Sequence, residues 1–73
     1  MKEIRIADIM YLFEKESLIE LVNCHGDSII VTTKNHITAS NKLHSLIVDE
    51  IGQRWDTTII VKVKTTASRF ENI

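Results

Sequence analysis

The chain has few of the residues that interrupt helices and strands or that cross-link a fold. Its 73 residues include no proline, two glycines and one cysteine, which rules out an internal disulfide. Gly26 and Gly52 are far apart, so no glycine-rich loop is present to cradle a phosphate, and the nucleotide-binding motifs built on such loops are excluded. A single cysteine is also typical of proteins from a reducing compartment.

Long apolar runs and a strong charge of one sign are missing as well. No apolar stretch approaches the ~20 residues of a membrane span, and residues 1–5 lack the apolar core of a signal peptide, so we expect a cytoplasmic protein. The net charge is −1, but residues 1–28 carry −3 and residues 29–73 carry +2. This dipolar distribution favours pairing with a second copy or a charged partner over strong DNA binding.

The composition that remains is that of one small globular domain. Hydrophobic residues make up 44% of the chain and charged residues 26%, which excludes a disordered protein. A chain of this length buries only about 60–65% of its unfolded surface, which leaves little apolar surface for a deep pocket beside the core. We therefore predict no cofactor and no enzymatic activity.

The clearest structural signal is a β-hairpin over residues 18–34. Two β-rich runs, residues 18–24 and 28–34, flank the turn His25-Gly26-Asp27. Gly26 supplies the positive φ that a tight reversal needs, and Asp27 tolerates a turn well.

The rest of the chain predicts a small α+β fold. Residues 40–51 have apolar residues at helical spacing, with Ser40 or Thr38 as the N-cap and Gly52 as the stop. Residues 57–66 alternate as a strand. The predicted fold is a small antiparallel sheet, formed by the hairpin and this strand, packed against one main amphipathic helix. The apolar stripe of that helix consists of Leu43, Leu46, Ile47 and Ile51.

Both ends of the chain have weaker patterns. A short strand is expected over residues 3–6, and residues 8–16 fit a helix capped by Asp8 or a strand equally well. Residues 67–73 show no clear pattern, which is compatible with a loose tail. No linker divides the chain, so we expect a single domain.

Residue types that carry chemistry are present but poorly arranged. Cys24 and His25 are neighbours, yet neighbours on a strand point to opposite faces, so direct pairing is not expected. Together with His36 and His44 they lack any known metal-ligand spacing, and we predict no metal site. The carboxylates Glu14, Glu16, Asp49 and Glu50 lie in solvated charge clusters, where a general acid would need burial.

Two sets of residues are candidates for binding, the first for a protein partner and the second for nucleic acid. The hairpin strand containing Ile29, Ile30 and Val31 carries no proline to guard its edge and is suited to a second copy or another protein. Trp55 follows the predicted helix, where it is expected to close a small core; the alternative is an exposed anchor at an interface. The basic residues that could contact nucleic-acid phosphates are Lys34, Lys62, Lys64 and Arg69. Lys62 and Lys64, on one face of a strand, also suit a guarded sheet edge.

One spacing in the first half resembles a known family. Asp8-Ile9-Met10-Tyr11-Leu12, then Leu18 and then Gly26, is similar to the start of a LytTR-type DNA-binding domain, in which an Asp-Ile-x-Tyr-Ile segment leads into a hairpin. The resemblance covers residues 4–34 and implies that residues 8–13 form a strand and that the domain binds DNA. The family's later basic segment has only a loose counterpart in Lys62-Val63-Lys64-Thr65.

Taken together, the residues predict a non-enzymatic regulatory or inhibitory protein that acts through protein–protein contacts or self-association. The alternative is a LytTR-like nucleic-acid-binding regulatory module.

Overall fold

The structure is a computed structural model that describes residues 2–73, with the exception of the Asn72 side chain. Within this range the chain forms a four-stranded sheet and three short α-helices. In chain order the elements are α1 (Ile6–Ile9), a 3₁₀ turn (Met10–Leu12), β1 (Leu18–Val22), β2 (Ser28–Thr33), α2 (Lys34–Ala39), α3 (Asn41–His44), β3 (Val48–Gln53), β4 (Ile59–Val63) and a second 3₁₀ turn (Phe70–Asn72). The prediction of a small α+β fold is therefore confirmed.

The hairpin forms as predicted. β1 and β2 pair antiparallel from Leu18 opposite Thr33 to Val22 opposite Ser28, with a bulge at the Ser28 end. Gly26 has a φ of 87°, the left-handed conformation that a side chain would strain. The turn is built around Asn23, whose side-chain oxygen accepts hydrogen bonds from the N–H groups of His25 and Asp27 at 2.9 and 3.0 Å.

The sheet is mixed, and the prediction of an antiparallel sheet was wrong on this point. Its strand order is β2-β1-β4-β3, and β1 pairs with β4 in parallel. The reason is the connection between β2 and β3: the helices cross one face of the sheet and return the chain to its far side. β3 and β4 then form a second antiparallel hairpin, which inserts β4 beside β1. β4 covers Ile59–Val63, a shorter strand than the predicted residues 57–66.

The predicted main helix over residues 40–51 does not form. Residues 34–39 are α2, so the predicted second strand of the hairpin ends one residue early, and the next helix, α3, ends at His44. Ser40 caps α3, with its hydroxyl oxygen accepting from the Leu43 N–H at 3.3 Å. Residues 48–53 are β3 instead, because this segment pairs antiparallel with β4, with an irregularity between Val48 and Glu50, and Gly52 lies inside that strand.

The N-terminal segment combines a bridge and short helical turns. Arg5 makes an isolated antiparallel bridge with Ile47, so only part of the expected strand over residues 3–6 is present. Residues 6–12 are helical, and residues 8–13 contain no strand. Asp8 stabilises the start of α1 from inside the helix, where its carboxylate accepts the Arg5 N–H at 2.9 Å.

A single core lies between the helices and one face of the sheet. The helical segments contribute Ile6, Ile9, Phe13, Ile37 and Leu43, and the sheet contributes Ile19, Leu21, Val61 and Val63. The C-terminal segment packs against this core through Phe70 and Ile73. Because side chains alternate along a strand, the opposite face of the sheet carries Leu18, Glu20 and Val22 of β1. We call this second surface the outer face.

Candidate protein-binding surfaces

The first surface is the free edge of β2. The strand pairs only with β1 among the described residues, so its other edge has no neighbouring strand there. Ile29 and Ile30 are half-buried and pack against the core, whereas Val31 is 50% exposed. Val31 lies opposite Glu20 and therefore on the outer face. Of the three residues predicted for this edge, Val31 has the most exposed side chain.

The edge formed by β3 is better protected. The N-terminal segment pairs with Val48 and with the residues just before it, through hydrogen bonds from the Val48 N–H to the Ile4 carbonyl at 2.7 Å and from the Ile6 N–H to the Leu46 carbonyl at 2.9 Å. The exposed residues that follow include Asp49 and Glu50, and charges on an edge oppose strand addition. β2 contains no charged residue, so it is the less guarded of the two edges.

The second surface is the turn between β3 and β4. Trp55 sits at its tip with 95% of its surface exposed, so the prediction that Trp55 closes the core was wrong. The segment expected to be a helix leading into the core is a strand, and the turn after it points into solvent. An indole exposed to this extent forgoes the burial that a large aromatic ring normally gains.

Hydrogen bonds hold this turn in one conformation. The Thr57 N–H donates to the Arg54 carbonyl at 3.1 Å, and the Arg54 N–H donates to the Thr58 carbonyl at 2.8 Å. Gln53 Nε2 reaches the Thr57 carbonyl at 3.3 Å. Thr57 has a φ of 72°, a left-handed conformation that is strained for a β-branched residue. Trp55 therefore lies at the tip of a turn whose backbone is held by hydrogen bonds.

The carboxylate of Asp56 braces the same turn. The Thr58 N–H donates to Asp56 Oδ1 at 3.1 Å. This backbone hydrogen bond, assisted by the Thr58 side chain and the nearby Arg54 charge, lowers the pKa of Asp56 below its ordinary value of 3.8. Asp56 therefore holds the turn as a charged group.

An ion pair anchors the turn to the centre of the sheet. Glu20, on the central strand β1, is only 4% exposed although it carries a charge. Arg54 crosses the outer face and pairs with Glu20 Oε1, while the Arg54 side chain stays 46% exposed. No donor among the described residues makes a well-aligned hydrogen bond to that oxygen, so Arg54 is the group that compensates its charge.

The residues singled out for chemistry lie at separate places. Cys24 and His25 are exposed in the first hairpin turn. His36 lies against Thr32 and the Phe70 ring, and His44 Nε2 lies 3.0 Å from Asn41 Oδ1. Glu14 and Glu16 share a shallow concavity with Asp56, but no group of three metal-ligating side chains is assembled within the described range.

The four predicted cations do not form one patch. Lys34 follows the end of β2, and its Nζ donates to the Phe13 carbonyl at 3.2 Å. Lys62 lies opposite Glu50 and beside Val22, at the other end of β1, roughly 13 Å along the strand. Lys64 follows the end of β4, and Arg69 precedes the last 3₁₀ turn. Lys62 and Lys64 therefore do not share one strand.

Sequence reasoning missed the Glu20–Arg54 pair and the role of Asn23. An isolated glutamate between apolar residues on a strand is a signal for the first, because an inward or central charge requires a partner. A buried asparagine in front of a glycine turn is a signal for the second, since Asn readily accepts hydrogen bonds from the backbone of the residues that follow it.

No helix in the described part of the chain is both long and apolar enough to cross a membrane. No protein-family model matches the chain, and comparisons with curated proteins and with solved structures give no match either.

Proposed function

We propose that this protein is a non-enzymatic regulatory or inhibitory protein that acts by binding other proteins. The two binding surfaces are the β2 edge, with Ile29, Ile30 and Val31, and the turn that presents Trp55. The edge offers backbone hydrogen bonds to an added strand, and the turn offers an aromatic anchor.

The observation that carries the proposal is the 95% exposure of Trp55 on a braced turn. Tryptophan is enriched among the few interface residues that supply most of the binding free energy. Binding through a mobile loop loses free energy to ordering, and a turn already held by hydrogen bonds and the Arg54–Glu20 pair avoids most of that loss.

The free edge of β2 supports the same function independently. Strand addition to a sheet edge supplies affinity through main-chain hydrogen bonds and specificity through alternate side chains. Val31 is the outward side chain on this edge, and it is 50% exposed.

The proposal is tested by placing a photo-crosslinking amino acid at position 55 in the source cells. The expected result is a discrete adduct of one protein, identified by mass spectrometry, that is missing when the same group is placed at Tyr11. Tyr11 is the matched control because it is also a strongly exposed aromatic residue, at 79%.

The purified partner then gives a quantitative test. Trp55→Ala should weaken binding at least about 30-fold, the size typical of a hot-spot tryptophan, while Tyr11→Ala should change it less than about threefold. Adducts at position 55 that do not differ from those at position 11, or equal effects of the two alanine variants, would contradict the proposal.

Nucleic-acid binding, the alternative drawn from the sequence, stays a prediction. It is supported by the +2 charge of residues 29–73, while the separation of Lys34 from Lys62 gives it no single contact surface. Titration with random duplex DNA at low and high salt measures it directly. Binding that weakens steeply with salt would support the alternative, and no binding at low salt would exclude it.

A further inference from the structure

We propose that the protein partner meets the Trp55 turn with a basic segment, whose lysine or arginine side chains enter a concavity beside that turn. The inference rests on the proposed function, because it names the chemistry of the partner that binds one of the two surfaces described there. Two separate features carry it: the carboxylates that line the concavity and the exposed indole next to it.

The concavity lies between the start of β1 and the turn that joins β3 to β4. Its lining includes the carboxylates of Glu14, Glu16 and Asp56, and its other lining residues are uncharged. Its volume of about 330 Å³ has room for a long side chain. Thr57 and Thr58 of the braced turn form one wall, so this side of the concavity is held in shape by the hydrogen bonds of the turn.

The three carboxylates have no ion-pair partner in the part of the chain that the structure describes. Arg54 lies near Asp56 but makes its ion pair with Glu20. Lys34 donates to a backbone carbonyl, and Lys15, between the two glutamates in the sequence, does not line the concavity. Because a cleft lined by charge of one sign concentrates the electric field, this concavity attracts cations from solution.

Trp55 offers a second contact to the same kind of ligand. It precedes Asp56 in the chain, and 95% of its surface is exposed. The face of an indole ring attracts an ammonium or guanidinium group more strongly than the other aromatic rings do. A segment with one cation over the indole and another in the concavity uses both features, whereas an acidic or uncharged segment uses the indole alone.

A single metal ion does not fit this arrangement. Within the described range, no three carboxylate, imidazole or thiol side chains come close enough together to hold one ion. A ligand whose positive charges are spread along a chain matches carboxylates that are spread over a surface, and a basic peptide segment is such a ligand. The same carboxylates repel nucleic-acid phosphates from this side of the molecule.

The first test is a titration of the full chain at low salt with a short peptide of alternating lysine and glycine. The fluorescence of Trp55, the single tryptophan, reports binding. We expect a saturable change in emission with a dissociation constant below about 1 mM, weakened at least about tenfold by high salt. The matched control is a peptide of alternating glutamate and glycine. Equal responses to the two peptides, or no saturable response to the lysine peptide, would overturn the proposal.

Two double variants locate the binding site. Glu14→Gln with Glu16→Gln removes two carboxylate charges from the concavity. Asp49→Asn with Glu50→Gln is the matched control, because it changes the net charge equally at exposed residues of β3. The first should weaken binding of the lysine peptide at least about fivefold and the second less than about twofold. Equal effects would overturn the site, because binding would then follow net charge alone.

The adduct formed by the crosslinker at position 55 separates this inference from the proposed function. The crosslinked segment of the partner, sequenced by mass spectrometry, should carry more than one lysine or arginine. A specific adduct through a segment without basic residues would overturn the inference and leave the proposed function intact. The proposed function fails separately, on the absence of any specific adduct at position 55, and that outcome does not depend on the peptide titration.

Discussion

Removing the Arg54 side chain is expected to destabilise the protein strongly, although Arg54 lies in an exposed turn. Glu20 is 4% exposed, and Arg54 is the cation that faces its carboxylate. In Arg54→Ala the carboxylate would remain on the central strand without compensation. Breaking a fully buried ion pair costs about 3–5 kcal/mol, and an exposed pair contributes about 0–1 kcal/mol.

The Glu20–Arg54 pair is intermediate between a fully buried and an exposed ion pair. The carboxylate is buried, but the arginine side chain is 46% exposed and partly screened by water. We therefore expect a loss of about 2–3 kcal/mol in the free energy of unfolding. A domain of this size has about 4–11 kcal/mol in total, so the loss is a large fraction of it. The corresponding decrease in Tm is roughly 10–20 °C.

Urea unfolding followed by far-ultraviolet circular dichroism measures this loss. Tryptophan fluorescence is a poor probe here because Trp55 is exposed in the folded state. Arg69→Ala removes an exposed arginine outside the sheet and should change stability by less than about 0.5 kcal/mol. Adding Glu20→Leu to Arg54→Ala removes the uncompensated charge and should restore most of the stability. The reasoning is refuted if Arg54→Ala and Arg69→Ala have equal effects, or if the double variant is no more stable than Arg54→Ala.

Three further changes test the two hairpin turns. Asn23→Ala removes two hydrogen bonds to turn N–H groups and one to the Ala67 carbonyl, and should cost about 2–3 kcal/mol in urea unfolding, against less than about 0.5 kcal/mol for the exposed Asn35→Ala. Equal losses would contradict the role of Asn23. Thr57→Gly relieves a left-handed residue and should raise the free energy of unfolding by about 0.5–1 kcal/mol, whereas Thr66→Gly should lower it. The lowered pKa of Asp56 means that folding favours its charged form, so its stabilising effect is present at neutral pH and is lost as the pH falls through the folded-state pKa. The stability difference between wild type and Asp56→Asn, measured by thermal unfolding, should narrow below pH 3.8, and a difference independent of pH would refute this.

The parts of the fold that could be predicted from the sequence are those specified by local geometry. Gly26 permits the one conformation that a tight turn needs, and the runs on either side are rich in residues that favour strands, so the first hairpin follows from neighbouring residues. The prediction of one helix over residues 40–51 was wrong. Apolar residues at helical spacing also occur in the end of this segment, which forms a strand because it pairs with β4. Neither the parallel β1–β4 pair nor the position of Trp55 has a local signal.

The two candidate binding surfaces can likewise be predicted from the sequence only in part. The uncharged stretch of β2 can be identified in the sequence, but its position at the edge depends on the strand order. The bracing of the Trp55 turn depends on Arg54 reaching Glu20, and these residues are 34 positions apart. A contact of that kind has no periodicity to reveal it.

The parallel pairing of β1 and β4 also has a consequence for the order of folding. Ile19 lies beside Ile59, so the central contact of the sheet joins residues 40 positions apart, while each hairpin joins neighbours. Long-range contacts of this kind form slowly because a large loop must close first. Until β4 arrives, the first hairpin has two open edges, and the inner one is flanked by Ile19 and Leu21. During synthesis the β1 edge that will pair with β4 therefore stays open until the last strand of the sheet has left the ribosome.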